Sequence, residues 1–510
     1  STTNGHKPGG CRMNAATPRI FIVEDDEAVR ESLQLVLESL GHTVSAFASA
    51  TSFLETFNVR TVLTAHPTQF YPGSVLGIIT DLTEAIRVND LIKIKQLLAQ
   101  LGKTPFIKKE KPTPFDEAVS LLWYLENVFY QTIGDMMQYL QKNIFEGNLI
   151  ENPIVNLGFW PGGDRDGNPF VTPEITEKVA KRLRTSILKC YYFDIRNLKR
   201  KLTFNEVDTI IANLEYKLYR SVFYSQGEIF ISLEELINEL SIVKNIVIEK
   251  HQSLYVDDIN LLLQKITQFG FHFASLDIRQ NSKIHTKVFD DISALLKREK
   301  SVAFPEDFDQ MTEVDKMAVV SHLKFDLSQH FFENEMTRTT LETIKLMREI
   351  QTDNGEKGCN RYIISNNESA LNVIETFAMF RLMNWENPTV DIVPLFESVD
   401  DLQNAHIIME QLYQNSVYRQ HLQERKDKQI VMLGFSDGTK DGGYLMANWS
   451  IFKAKEMITQ VSREYGIKVI FFDGRGGPPA RGGEDPPPRP GHQQGHAQEE
   501  PRGMAQPARR

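Results

Sequence analysis

Short apolar runs alternating with long amphipathic stretches constrain this chain more than any other feature. Between residues 58 and 477, seven runs read as buried strands: 62–64, 155–160, 273–278, 362–364, 392–396, 430–435 and 468–472. Helical patterns lie between them. One runs from Asp116 towards Phe145, with Pro114 just before it. Another opens at Thr172-Pro173-Glu174, an N-cap followed by proline at the first helical position, and a third, 444–465, stops at Gly466. Strands alternating with helices predict parallel βα units. Nearly every run is followed at once by polar, chemically capable residues: His66, Asp164-Arg165-Asp166, Arg279, Asn366-Asn367, Glu397, Asp437 with Lys440, and Arg475. A (β/α)8 barrel gathers its active site at the C-terminal ends of its strands. The expected fold class is therefore α/β, a (β/α)8-type barrel with many additional helices and mostly helical by residue count. Nothing after Gly477 supplies an eighth strand, so the barrel reads as truncated after the seventh.

Composition sets the flanks and the compartment. Residues 1–18 are polar and lack the apolar core of a secretory signal, and they read as a disordered tail. Residues 478–510 hold 8 of the chain's 22 prolines, and Met504 is their only large apolar side chain. Such a tail cannot bury enough apolar surface to offset its ordering entropy. With 57 Lys+Arg against 67 Asp+Glu the net charge is -10, which argues against a generic nucleic-acid or membrane-surface binder. Anionic ligands would need local clusters of Arg and Lys. Three scattered cysteines, Cys11, Cys190 and Cys359, exclude a disulfide framework and fit a reducing cytosol. No apolar run approaches the ~18 residues of a membrane span.

Residues 19–57 form a unit of their own. The run 19–23, the acids Glu24-Asp25-Asp26, a helical pattern through Leu40, a second strand over 42–46 and a second helix over 49–57 follow in order. This resembles the opening of a response-regulator receiver domain, in which the acidic pair (here Glu24 and Asp25) holds Mg²⁺. The likeness stops at Phe57, before the strand that carries the phospho-acceptor in that family. Asp25 and Asp26 equally suit the cap of the helix that follows.

Within 58–477, His66 in TAHPTQ (64–69) suits a general base, although a histidine beside proline is commonly structural. In GGDRDGNPFVT (162–172), Asp164, Asp166 and Asn168 alternate as in a calcium loop. Pro169 stands where an EF-hand needs glycine, so an Arg-bearing loop for an anion is favoured. Arg279 ends a strand, where a fixed guanidinium suits bidentate binding of phosphate or carboxylate, or an ordinary salt bridge. Glu397 and Asp437 each follow an apolar strand. Two carboxylates at one barrel mouth suit Mg²⁺ or Mn²⁺, with Lys440 as a nearby point charge. The spacing of a P-loop is absent. Arg475 and Arg481 lie in two RGG units, readable as an RNA-binding segment or as a glycine-rich loop that wraps phosphate.

In this order the motifs TAHPTQ, GGDRDGNPFVT, FGFHFASLDIRQNS, VPLFESVDDL, MLGFSDGTKDGG and GRGG closely resemble the phosphoenolpyruvate carboxylase family, over about residues 58–483. The resemblance implies a cytoplasmic carbon-carbon lyase. It would make oxaloacetate and phosphate from phosphoenolpyruvate and bicarbonate through carboxyphosphate and the pyruvate enolate, and feed the tricarboxylic acid cycle. By the same resemblance, Glu397 and Asp437 hold Mg²⁺ (or Mn²⁺). Arg279 and Arg475 hold phosphate, and Lys440 positions bicarbonate or phosphate. His66 deprotonates carboxyphosphate. Arg165 and Arg481 are anion-binding, Arg481 also contacting an inhibitory dicarboxylate. Neither nucleic acid nor membrane is an expected partner. The family assembles as a homotetramer, whose contacts would largely fall outside this chain.

Three departures from the family stand out. A receiver-like piece replaces a helical N-terminal region. Asp473 stands at the usual histidine of the glycine-rich loop, with Pro478-Pro479-Ala480 close behind, and its negative charge is expected to weaken anion binding at Arg475. Family sequence beyond GRGG is absent. The alternatives are therefore an inactive truncated chimera or a receiver-like signalling protein.

Overall fold

The computed structural model describes residues 19–39, 43–64, 73–106, 112–224, 230–299 and 304–474. The tails 1–18 and 478–510, together with His66, Arg475 and Arg481, lie outside them. The described residues form nine strands: β1 (Arg19–Val23), β2 (Thr43–Phe47), β3 (Val59–Leu63), β4 (Val155–Phe159), β5 (Ser275–Asn281), β6 (Arg361–Ser365), β7 (Asp391–Phe396), β8 (Lys428–Gly434) and β9 (Lys468–Gly474).

Strands β3 to β9 pair in sequence order and all in parallel. The sheet curls into a half-barrel within a mostly helical chain, as a truncated α/β barrel would. Each of the seven expected runs overlaps one of these strands, with ends up to three residues away, and β5 continues through Arg279 to Asn281. Side chains alternate between faces, and the two faces differ in chemistry. On the outer face Leu157, Phe159, Leu276, Ile278, Tyr362, Ile364, Ile392, Phe396, Val431 and Leu433 join the main core beneath the helices. Burying each such residue contributes on the order of 1.5–3 kcal/mol. On the inner face Ile363, Val393, Leu395, Ile430 and Met432 form a separate apolar layer with Trp160 and Phe472. Polar residues lie on either side of that layer.

The helices begin and end where local chemistry dictates. Thr113 caps the Pro114–Tyr124 helix through a reciprocal bond pair with Asp116, and Pro114 is its first residue rather than lying just outside it. Thr172 caps the 29-residue Pro173–Lys201 helix as expected. The Ser436–Glu464 helix breaks at Gly443 (φ 79°). The segment around Asp437 and Lys440, which reads as a loop in the sequence, is therefore a short helical piece on the far side of that break.

Strands β1 and β2 pair only with each other, around the Glu27–Ser39 helix. The Oδ1 of Asp26 accepts the Val29 N–H at 3.0 Å, and Arg30 donates to the Glu24 carbonyl at 2.7 Å. The capping role of this acidic cluster is thus realised at Asp26. The unit leans on the rest of the chain through Asn152, which donates to the carbonyls of Leu54 and Phe57 at 2.9 and 2.7 Å. No described helix is long and apolar enough to cross a membrane.

Candidate active site at the strand ends

A cavity of about 1860 Å³ occupies the concave side of the sheet. At the C-terminal ends of the strands it is lined by Thr64, Trp160, Arg279, Glu397, Phe435 and Gly474. Arg279 is the best-defined group there. Its Nε donates to Asp164 Oδ1 at 2.7 Å and its Nη2 to Asp164 Oδ2 at 2.9 Å, a two-pronged grip that fixes the guanidinium plane. The guanidinium lies over the Trp160 ring, 5.0 Å from its centroid. Burial opposes its charge, but the carboxylates of Asp164, Asp166 and Glu397 together outweigh burial, Asp164 foremost, so its pKa is raised.

The backbone places this pair. After β4 the chain turns at Trp160, and the Gly163 carbonyl accepts the Arg279 N–H at 3.0 Å while Arg165 N–H donates to the Arg279 carbonyl at 2.9 Å. A Cβ at Gly163 would stand 2.1 Å from the Asp277 carbonyl oxygen, so only glycine lets the loop lie against β5. This strand-like pairing sends Asp164 and Arg165 to opposite sides. Asp164 meets Arg279 on the cavity side. Arg165 points away, bonding the Thr339 carbonyl at 3.1 Å and the Thr343 hydroxyl in the Glu335–Asn354 helix. Arg165 is expected from its motif to bind anions, and in this structure its contacts are with that helix instead. It holds the loop to the helix behind it and does not line the cavity.

Glu397 follows β7 and faces the same cavity as Arg279. Lys440 is exposed on the helical turn after β8 and is not on the cavity wall. The Asp437 side chain lies outside the described set. Among the described residues no group of three or more His, Cys, Asp or Glu is placed to hold a metal. A Glu397–Asp437 pair completed by substrate and water remains the donor set the sequence offers.

Asp473 has a charged partner that the motif alone does not reveal. Its carboxylate does not stand as an uncompensated charge beside the glycine-rich loop, because Lys455 Nζ reaches its two oxygens at 2.6 and 2.9 Å. Two further residues complete the inner face. Asp277, fully buried on β5, accepts from Arg60 at 2.7 and 3.0 Å and from Trp160 Nε1 at 3.2 Å. The signal for it was present, since Asp277 precedes Arg279 by two and a strand puts i and i+2 on one face.

A family model described as phosphoenolpyruvate carboxylase matches residues 14–222 and 208–487. The chain belongs to the phosphoenolpyruvate carboxylase family. It is 27% identical over 497 residues to a phosphoenolpyruvate carboxylase of Vibrio atlanticus, covering 88% of this chain and 55% of that protein. It is 30% identical over 477 residues to one of Shewanella loihica, covering 84% and 53%. The chain thus spans about half the length of these phosphoenolpyruvate carboxylase relatives. The matched span takes in the β1–β2 unit, whose likeness to a receiver opening stays a likeness of element order.

Proposed function

We propose that this chain serves the carboxylation of phosphoenolpyruvate by bicarbonate, giving oxaloacetate and phosphate in the cytoplasm. The observation that carries the reading is Arg279. It is locked by Asp164 over Trp160 at the C-terminal mouth of a parallel half-barrel, opposite Glu397, in a chain of this family. A guanidinium already held flat and charged costs little further ordering when it meets a phosphate, and it remains in place as charge moves onto the phosphate oxygens.

The other roles follow from the motif matches. Arg475 supplies the second arginine at the phosphate, and Lys440 a point charge for bicarbonate. Bicarbonate oxygen attacks phosphorus, and the phosphorus–oxygen bond to the enolate breaks. His66 then takes the proton of carboxyphosphate, which separates into phosphate and CO₂. The enolate carbon attacks CO₂ before water can intervene. Glu397 and Asp437 would hold Mg²⁺ or Mn²⁺, which orients the substrate and stabilises enolate charge when bound. Carboxylate oxygens are the donors such hard cations take.

The test is oxaloacetate formation by the full chain, read through malate dehydrogenase, with phosphoenolpyruvate, bicarbonate and Mg²⁺. Turnover that is lost in Arg279→Met while the variant unfolds at the parent's temperature is expected. A folded chain that makes no oxaloacetate would overturn the proposal.

A further inference from the structure

The cavity has a second charged end. Below the apolar layer of Ile363, Val393, Leu395, Ile430 and Met432, at the N-terminal ends of the strands, its wall changes to Lys357, Arg361, Arg425 and Lys428. Arg60, Lys426 and Lys468 line the same end. Against these seven cations stand Glu356 and Glu424 on the wall, with Asp277 and Asp391 buried behind it.

Three of these four carboxylates, Asp277, Asp391 and Glu356, are already engaged. Asp277 is held by Arg60 at 2.7 and 3.0 Å. Asp391 accepts from both Arg425 (2.9 Å) and Lys428 (3.0 Å), and Arg425 reaches Glu356 at 2.8 Å. Arg361 begins β6, in register with Asp277 and with Asp391 on its two neighbours. Among the described residues its guanidinium makes no hydrogen bond or salt bridge, and it turns into the cavity instead. Burial, aided by Arg60, lowers its pKa to about 10, and burial likewise lowers those of Lys357 and Lys428. Beside them burial and the charges of Lys357 and Arg60 hold His272 down to about 3, so it lines this end as neutral imidazole. Cations crowded beyond the capacity of their carboxylates, around an open cavity, are what a multivalent anion would relieve.

We infer that the N-terminal end of the half-barrel binds a compact anion carrying two or more negative charges on oxygen, with Arg361 and Lys357 as its principal contacts. The site is offset from Arg279 towards the strands' N-terminal ends: Arg361 pairs in register with Asp277, whereas Arg279 pairs with Ile363 of the apolar layer, one inward-facing step further along. It does not depend on the carboxylation reading. The position, at the opposite end of the strands from the expected chemistry, makes it a regulatory or stabilising site rather than a catalytic one.

The probe is inorganic pyrophosphate, titrated into the full chain at constant ionic strength and followed by calorimetry and by thermal unfolding. A ligand that binds only the folded state raises the unfolding temperature with concentration. Saturable binding is expected in the parent and in Arg279→Met. Arg361→Met should weaken it about ten- to a hundredfold, the loss expected for one charge-assisted contact. Lys357→Met, a substitution nearer the surface, should weaken it in the same direction and keeps the test decisive if Arg361→Met does not fold. No saturable binding would overturn the inference. So would unchanged affinity in both lower-end variants, or loss of binding in Arg279→Met alone. The last outcome would place the anion at the other end of the cavity, and none of the three bears on whether oxaloacetate is formed.

Discussion

Replacing Asp277 by asparagine should cost more than any other single isosteric change on the inner face of the sheet. The carboxylate is fully buried and receives three N–H donors, two from Arg60 and one from Trp160. Arg60 reaches it from two strands away, crossing β4 at Gly158, where a Cβ would lie 2.6 Å from the guanidinium. Asparagine keeps the volume but offers a single acceptor oxygen, so at least one Arg60 donor loses its partner. The Nε of Arg60 is already buried without a hydrogen bond. Removing one partner of a buried pair leaves an uncompensated charge, which costs about 3–5 kcal/mol. For roughly 420 cooperatively folded residues at about 2.1 cal/mol/K each, that is a fall of some 3–6 °C in unfolding temperature. Urea unfolding of the parent and of Asp277→Asn, with Arg60→Met and the double variant completing a cycle, measures both the cost and the coupling. A double variant less destabilised than the sum of the two single variants is expected, since removing both charges leaves neither one uncompensated. Asp277→Asn within about 1 kcal/mol of the parent, the ordinary cost of one lost neutral hydrogen bond, would refute the reasoning.

Three further outcomes are expected. Arg165→Met should lower stability by about 1–3 kcal/mol through the stranded Thr339 carbonyl and Thr343 hydroxyl, yet leave the turnover of folded protein unchanged; parallel unfolding and rate measurements separate it from Arg279→Met. Lys455→Met should raise the KM for phosphoenolpyruvate several-fold by releasing the Asp473 charge, and Asp473→Asn on that background should restore it; a KM unmoved by either change would remove Asp473 from the argument. Burial, with Asp290 second, raises the Glu375 carboxyl to about 8. Between its ordinary 4.5 and 8 the folded chain therefore holds a proton that the unfolded chain releases, so stability falls as pH rises, by up to about 1.4 kcal/mol per pH unit, and levels off above 8. Glu375→Gln should flatten that slope in urea unfolding measured from pH 5 to 9, and an unchanged slope would assign it to other groups.

What the sequence made legible, and what it hid, has one physical origin. A strand's side chains alternate with period two, so the seven apolar runs and the polar residues that follow them could be read from neighbours along the chain. Arg279 was legible in this way. Arg165 was not, because its direction is set by pairing with β5, 114 residues away in sequence, through the Arg165 N–H to Arg279 carbonyl bond. Read alone, a loop of alternating acids and arginine cannot tell which member faces the cavity; once Asp164 is known to meet Arg279, the alternation forces Arg165 outwards. The same holds for Asp473. Its charge was legible and its partner was not, since Lys455 sits on the preceding helix and meets it only when that helix packs on β9. Even the surplus of cations at the N-terminal end is a tertiary property. Lys357, Arg361, Arg425 and Lys428 are spread over some seventy residues of an acidic chain, and only the closing of β6, β7 and β8 side by side turns them into one wall. A net charge of -10 is therefore no guide to the sign of the field inside the half-barrel. With a multivalent anion held at the lower end, salts of one cation at constant ionic strength should stabilise this protein in the order of anion valence, whereas screening of its negatively charged surface would follow the cation.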